Sequence, residues 1–475
     1  MKAVPLFGSG IQSYSAWANS QRRLNCFYDP RPDGDRGQVI IRGTPGSSYW
    51  ITLPVAPIRG WKVVQGLLYV VARGNLYTVS SAGAITSRGT LTTTSGRVEI
   101  QDNGVQVIIV DGTAGWIYTI ATTTLSAISD VNFPNGATTV AFINGRFLVE
   151  KADTRQFWQS TLYDGTNWTP ATFGTKENES SNIVAVEVTN GNVILWGQSS
   201  MEFWQDIGTT PLAYQRISGT TQSWGLAAVA SRAVLLNTEI FLGQNPQGHV
   251  QILMLEGYTP TRVSTTDIEN IINSFSTYTD AVALTYMLDG HAMYQLTFPT
   301  GDRSFLYDAT TQLWQEVQTG VAEFGRHFAR YGVSFNFENY VSDETTGNIY
   351  RLVQTAYTDN GALIKRQLRT RHVRMDGNVF GIAELLIDID TGEGLQSGQG
   401  SNPQMMIQVS KDGGRTFGPE RSVSMGQIGQ YRTPRLISRR WGMARDFVWQ
   451  LTVTDPVPFV VAGGSAVPFG IEGQG

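Results

Sequence analysis

Residues 66–79 read GLLYVVARGNLYTV, and this segment sets the pattern for most of the chain. A run rich in Val, Leu and Tyr reaches a polar turn, Arg73-Gly74-Asn75, and a second β-branched and aromatic run follows it. Gly and Asn tolerate the backbone angles of tight turns, and β-branched and aromatic residues favour strands. The segment therefore predicts a β-hairpin.

Hairpin units of this kind recur along residues 66–353, with starts separated by 38, 41, 46, 46, 53 and 42 residues. Four-stranded propeller blades repeat every 40–50 residues or so, and a lone hairpin is marginal in water unless its apolar faces are covered. The sequence therefore predicts an all-β fold with a β-propeller of about six blades. An irregular series of hairpins forming sandwiches is the alternative. The units start at residues 66, 104, 145, 191, 237, 290 and 332.

The chain divides into three predicted parts. Residues 1–58 form an N-terminal arm with a closing strand, 59–360 the propeller body, and 361–475 a small antiparallel β-sandwich. In the last part apolar and polar residues alternate, as at Leu385, Ile387 and Ile389, which is typical of strands with one buried face. The stretch QVIIR (38–42) is the candidate strand that closes the last blade.

One helix is predicted within the repeats, at STTDIENIINSF (264–275). Thr266 and Glu269 have the spacing of a capping box, and isoleucines recur at helical spacing. We expect this helix to pack on the flank of the fifth unit, which has the longest spacing.

Composition excludes several classes of protein. The 475 residues carry 35 Lys and Arg against 39 Asp and Glu, and charged residues make up only 16% of the chain. No apolar run is long enough to span a membrane, and the first residues lack the apolar segment of a secretory signal. A mildly acidic chain without a basic tail is a poor candidate for tight DNA binding. The single cysteine, Cys26, excludes an internal disulfide.

The motifs of common enzymes and cofactor sites are missing from the sequence, which predicts a protein that is not an enzyme and holds no cofactor or metal. The four histidines are scattered without companions at metal-ligand spacing: His249, His291, His327 and His372. The segment SKDGGRTF (410–417) resembles the Asp-box turn of sialidases, where the motif stabilises a hairpin. Here it occurs once and outside the repeats, so a structural role is expected.

Arginines cluster in the last part, where 13 Lys and Arg face 10 Asp and Glu, whereas residues 1–360 carry a net charge of −7. Arg435, Arg439 and Arg440 are a candidate docking surface for an acidic partner or a phosphate backbone. The alternative for most of these arginines is local pairing, with Asp388 and Asp390 as partners, at about 0–1 kcal/mol each. The two groups are Arg366, Arg369, Arg371 and Arg374, then Arg435, Arg439, Arg440 and Arg445.

Several stretches resemble one protein family in their order along the chain. SYSAWANSQRRLNCFYDP (13–30) and RGTPG (42–46) resemble the opening of the packaged-DNA stabilisation proteins of short-tailed bacteriophages, also described as tail-hub or nozzle proteins. The similarity covers nearly the whole chain. It continues at residues 143–168, 191–208, 259–272, 290–300, 305–316, 410–420 and 435–454.

This resemblance implies a structural virion protein assembled in the host cytoplasm. Such proteins form a ring, a homo-hexamer, below the portal and the head-to-tail adaptor, and they hold or border the tail needle, plug or tailspike. They extend the channel for double-stranded DNA, retain the packaged genome and allow its ejection. We expect a neutral or acidic lumen, because a lysine-rich wall would bind phosphates. The alternative is a propeller that binds or cleaves surface glycans through its Trp and Tyr residues.

Overall fold

The computed structural model describes residues 4–7, 11, 13, 15–31, 39–177, 180–375, 377–431 and 435–470. Five strands precede the repeats. They are β1 (Val4–Pro5), β2 (Arg22–Leu24), β3 (Cys26–Pro30), β4 (Val39–Gly43) and β5 (Gly46–Thr52).

The repeats form seven antiparallel sheets, one for each hairpin unit of the sequence, so the propeller has seven blades and not about six. Blade 1 is β6 (Ile58–Val64), β7 (Leu67–Ala72), β8 (Asn75–Val79) and β9 (Ile85–Thr90); blade 2 is β10 (Glu99–Asp102), β11 (Gln106–Val110), β12 (Gly115–Thr119) and β13 (Thr124–Ala127); blade 3 is β14 (Val140–Ile143), β15 (Arg146–Glu150), β16 (Gln156–Thr161) and β17 (Asp164–Thr175); blade 4 is β18 (Ile183–Thr189), β19 (Asn192–Gly197), β20 (Met201–Asp206) and β21 (Tyr214–Arg216).

The remaining three blades follow the same plan. Blade 5 is β22 (Gly225–Leu226), β23 (Ala233–Leu235), β24 (Thr238–Gln244), β25 (Val250–Glu256) and β26 (Thr259–Arg262), with a 3-10 turn at Val229–Ser231; blade 6 is β27 (Val282–Leu288), β28 (His291–Phe298), β29 (Arg303–Asp308) and β30 (Leu313–Glu316); blade 7 is β31 (Tyr331–Phe335), β32 (Glu338–Ser342), β33 (Asn348–Val353) and β5.

An apolar core lies between each pair of neighbouring blades, including blades 7 and 1. On β7, Leu68 and Val70 face blade 7, whereas Tyr69 and Val71 face blade 2. Both faces of a blade are therefore buried, which is why the strands read as continuous apolar runs and not as alternating ones. Innermost strands of neighbouring blades also contact one another, except that β22 of blade 5 contacts β19 of blade 4, and β31 meets β6 to close the ring.

The strand that closes blade 7 is β5, which pairs antiparallel with β33, Gly46 opposite Val353. The prediction that QVIIR closes the last blade was wrong. Val39–Gly43 pairs with β3 and with the last strand of the chain, and Gln38 lies outside the described residues. Residues 39–43 and 46–52 both have the composition of strands. The one that pairs with the free edge of blade 7 is β5, which directly precedes the first strand of blade 1 in the chain.

Two short strands after blade 7 extend its sheet: β34 (Thr358–Asp359) and β35 (Ala362–Leu363). The sandwich strands follow and are β36 (Arg366–Arg369), β37 (Val373–Arg374), β38 (Phe380–Ile389), β39 (Gln404–Ser410), β40 (Arg421–Ser424), β41 (Arg435–Ala444), β42 (Asp446–Val453) and β43 (Val460–Phe469). One sheet runs β3-β4-β43-β38-β41, and the facing one runs β36-β42-β39-β40. Leu385, Ile387 and Trp449 lie in the core between them.

The propeller and the sandwich share a sheet. Strand β2 lies parallel to β30, the outer strand of blade 6, and antiparallel to β36, which makes one sheet of ten strands. Arg22 of β2 is 1% exposed, and its Nη2 lies 2.9 Å from Oε2 of Glu316. Arg303 donates to the same carboxylate at 3.0 Å. Backbone pairing through β2 and a buried charge cluster thus join the two parts.

The predicted helix is present as α1 (Thr266–Asn273), packed against blade 5 with Ile268 and Ile272 in the core shared with blade 6. Its cap differs from the predicted capping box. Thr265 has the extended backbone of an N-cap residue, and its hydroxyl accepts from the amide of Ile268. Glu269 instead pairs with Arg262 at 2.6 Å.

Candidate partner-binding surfaces

The turns between the first and second strands of the blades, and those between the third and fourth, lie at one end of the propeller, which we call the turn face. Turns of neighbouring blades touch there: Gln65 donates to the carbonyl of Gly104 at 2.6 Å, and Asn144 donates to Asp206 at 2.8 Å. In six of the seven blades the first turn has two residues with positive φ, the geometry of the common hairpin turn.

Exposed apolar side chains are concentrated on or beside the turn face. Phe337 is fully exposed and Leu236 is 62% exposed, although both have positive φ, where the other blades place Gln, Asn, Asp or Gly. Large exposed apolar patches in folded proteins mark interaction sites. The exposed residues of this surface are Val105, Leu162, Tyr163, Ile207, Val234, Leu236, Tyr258, Met287 and Phe337.

The linking residues of the turn face are poor in cations. Its thirteen turns contain no Lys or Arg in their linking residues, and carboxylates lie in the turns or at the adjoining strand ends. The cations nearby are Arg146, which begins β15 beside one turn, and Arg42, which pairs with Asp289 at 2.8 Å. Such a surface repels phosphates and suits a partner that offers apolar and cationic groups. The carboxylates with some exposure are Asp102, Asp164, Asp206, Glu256, Asp289 and Glu338, whereas Asp308, which also adjoins a turn, is buried beside His291.

Charged side chains from several blades meet at the propeller axis. Arg232 of blade 5 lies 2.5 Å from Glu99 of blade 2 and 3.0 Å from Glu187 of blade 4. Burial raises the pKa of Glu187, and also that of Glu239 beside it. The Arg232 side chain is only 5% exposed, so side chains fill the axial opening at this level.

The three arginines predicted to dock a partner lie on β41, an edge strand. Arg435 pairs with Asp388 at 2.6 Å, as the alternative of local pairing predicted. Arg439 pairs with Glu384 at 2.7 Å. Within the described part of the chain, Arg440 has no carboxylate partner. All three stay solvent-exposed, and Ile437 and Met443 are exposed on the same strand. Docking by this strand remains a prediction.

Two of the four arginines in the first group are internal, and Arg371 and Arg374 are exposed. Arg366 and Arg369 are buried, and Arg369 donates to Gln450 at 2.7 Å. Arg374 pairs with Asp446 and lies 3.9 Å from the ring centre of Trp17. Sequence reasoning placed these arginines on a surface, because burial between two domains leaves no local signal.

The Asp-box segment forms the turn that its sequence suggests. Asp412 accepts from the amides of Arg415 and Thr416 at 3.0 Å and from the hydroxyl of Ser410 at 2.6 Å. Burial would raise the pKa of this carboxyl, but the hydrogen bonds outweigh it and hold the pKa well below its ordinary value. The motif stabilises the β39–β40 connection.

Other chemically active residue types are held in structural positions. Burial raises the pKa of Cys26 to about 12, so its thiol stays protonated at neutral pH. His291 lies 2.7 Å from Asp308, and His372 lies 2.8 Å from Asp446. Among the described residues no three His, Cys, Asp or Glu side chains are grouped as a metal site requires. Trp17 is the one exposed tryptophan among them.

The fold and these surfaces define a rigid β-propeller and β-sandwich protein whose exposed features suit protein contacts. A family model described as bacteriophage P22 Gp10, beta-propeller, matches residues 25–357, and one described as bacteriophage P22 Gp10, beta-sandwich, matches residues 365–467. The chain therefore belongs to the bacteriophage P22 Gp10 family and is a phage structural protein. The resemblance drawn from the sequence is confirmed.

The chain is similar to several solved structures at low sequence identity. A chain of the mitotic checkpoint complex is 11% identical, with 68% of this chain and 95% of that chain covered and a TM-score of 0.44. The WD40 domain of Neurospora crassa Pan2 is 10% identical, with 65% and 94% covered and a TM-score of 0.39. No curated protein sequence matches the chain significantly. The described part of the chain holds no helix of the length and hydropathy needed to cross a membrane.

Proposed function

We propose that this protein forms the tail nozzle or hub of a short-tailed bacteriophage. Copies assemble into a homo-hexameric ring below the portal and adaptor, extend the channel for double-stranded DNA, retain the packaged genome and release it at ejection. The ring also holds or borders the tail needle, plug or tailspike. The observation that carries the proposal is the family membership, which spans both domains.

Two structural features support a ring of several copies. Arg232 and its carboxylate partners fill the axial opening of the single propeller, so a duplex would have to pass between copies and not through one. The shared sheet of ten strands joins the propeller to the sandwich as one stiff body, which suits repeated side-by-side packing. The role requires binding and not catalysis.

The predicted lumen is neutral or acidic. A channel that must let DNA slide cannot hold it by the counterion release that Lys and Arg produce at phosphates. The net charge of −7 over residues 1–360 supports a lumen of this kind.

Cryo-electron microscopy of purified tails, together with the mass of the purified chain in solution, tests the proposal. We expect a six-fold ring with an open channel, attached to the adaptor. A chain that stays monomeric in the assembled tail, a ring without a passage, or a continuous Lys and Arg lining would overturn it.

A further inference from the structure

A cavity of about 220 Å³ lies at the junction between propeller and sandwich. Its walls come from both parts: Arg42 of β4, the segment after blade 7, Arg366 of β36, and the segment that leads into β43. A group bound here would contact both parts of the molecule. The side chains that bear on its chemistry are Arg42, Gln354, Tyr357 and Arg366.

Arg366 is a buried cation whose guanidinium makes no ion pair in hydrogen-bond contact within the described residues. The residue is 1% exposed, and its Nε and Nη1 atoms have no hydrogen-bond partner among the described residues. The centre of the Tyr357 ring lies 5.8 Å from the guanidinium carbon, within the range of a cation–π contact. A buried charge is costly unless it is paired, so the site lacks one negative charge.

The neighbouring charges do not supply it. Arg42 is itself a cation, and Asp29 at 3.0 Å and Asp289 at 2.8 Å already pair with it. The Asp359 carboxylate attracts Arg366 electrostatically, but its hydrogen bonds come from Ser47 and Thr319 and not from the guanidinium. Glu393, near Tyr357, is exposed.

The backbone around Arg366 is shaped to hold its side chain in place. A Cβ atom on Gly43 would lie 2.4 Å from Arg366 Nε, so a larger residue at this position would clash with the Arg366 side chain as it is placed. Gln354 donates to the Gly43 carbonyl at 3.3 Å, while its Oε1 atom is buried without a partner among the described residues. Because an amide oxygen only accepts, Oε1 fits an oxyanion that keeps a proton, such as the P–OH group of hydrogen phosphate.

We propose that this cavity binds one small oxyanion of the phosphate class, held by the guanidinium of Arg366. Guanidinium groups match the geometry of phosphate oxygens, and the cavity is several times the volume of a water molecule. Because its walls come from both parts, the bound anion strengthens the contact between propeller and sandwich. The proposal does not depend on assembly into a ring.

Thermal unfolding of the full-length chain tests the site, with sodium phosphate titrated against sodium chloride at equal ionic strength. At roughly a hundred times the dissociation constant we expect the unfolding temperature to rise by about 3 °C, with saturation. Arg366→Met should abolish the rise, and the matched control Arg445→Met, an exposed arginine, should retain it.

Equilibrium dialysis of radiolabelled phosphate against the folded wild-type chain keeps the test valid if Arg366→Met does not fold. One phosphate per chain, displaced by sulfate and not by chloride, supports the proposal. No saturable binding, an equal shift in the Arg366→Met variant, or a preference for acetate, which would make the occupant a carboxylate, overturns it.

Discussion

Phe337 occupies a turn position that most sequences give to Asn or Gly. Its φ is +64° and its ring is fully exposed, so it gains nothing from burial and bears the steric cost of a left-handed backbone. Leu236 has the same combination in blade 5. Strain of this kind at an exposed apolar residue is typical of positions kept for binding.

We expect Phe337→Asn to raise the free energy of unfolding by about 1 kcal/mol, because Asn tolerates the left-handed region. The same change should weaken assembly with the partner of the turn face. Urea unfolding measures the first effect, and incorporation of the variant into tails measures the second. Normal incorporation, with Leu236→Asn also normal, would exclude the turn face as a docking surface.

Asp412 carries the Asp-box turn through hydrogen bonds to its carboxylate. We expect Asp412→Ala to lower the free energy of unfolding by about 1–2 kcal/mol, measured by urea denaturation. Asp390→Ala, at an exposed carboxylate of the same sandwich, is the control and should have little effect.

The stability that Asp412 contributes should also depend on pH. Its folded-state pKa lies below the unfolded value, so its stabilisation is complete above the unfolded pKa, about 3.9, and falls as the pH drops toward the folded value. The stability difference between wild type and Asp412→Ala should therefore shrink below about pH 4. A constant difference down to pH 2 or so would contradict this assignment.

Two short strands of the N-terminal segment set the arrangement of the larger elements. Strand β2 joins blade 6 to the sandwich, and β5 completes blade 7. Gly46 of β5 has no room for a side chain, since a Cβ there would lie 2.5 Å from the carbonyl oxygens of Ala356 and Thr358. Both strands pair with residues some 300 positions away, so each connects the N-terminal segment to a distant part of the chain.

Glu316→Gln should weaken the connection that β2 makes between propeller and sandwich. The change leaves Arg22 and Arg303 facing a neutral amide in a buried site, at a cost of about 3 kcal/mol. We expect calorimetry to resolve separate transitions for the two parts. Glu338→Gln, which breaks the exposed pair with Arg351, should cost about 0.5 kcal/mol or less. Equal effects of the two changes would contradict the role of this connection.

At the scale of the whole molecule, the propeller is a closed ring whose axis is filled by side chains. Its turn face carries exposed apolar side chains and no Lys or Arg in the linking residues. Propeller and sandwich are joined by a shared sheet.

The isolated chain should bind duplex DNA weakly. With a net charge of −4 and no Lys or Arg in the linking residues of the turn face, few phosphates can be neutralised. Fluorescence anisotropy at roughly 150 mM salt should give no measurable binding, and lowering the salt should give only a shallow dependence on salt concentration. Micromolar affinity with a slope of six phosphate contacts or so would contradict an acidic lumen.

The sequence by itself determined the repeated hairpins, the turn chemistry, the helix and the Asp-box turn, because these follow from residues close together in the chain. Each of the seven hairpin units became a blade, although the blade number was predicted as about six. The resemblance to a phage family also came from the sequence.

Only the tertiary structure decided which strand closes the ring and where the arginines lie. Residues 39–43 and 46–52 have similar composition, and the choice between them depends on which free edge each can reach. Arg366 reads like its exposed neighbours in the sequence, yet it is buried between two domains. Pairing and burial of this kind result from competition among distant edges and surfaces, which no local pattern encodes.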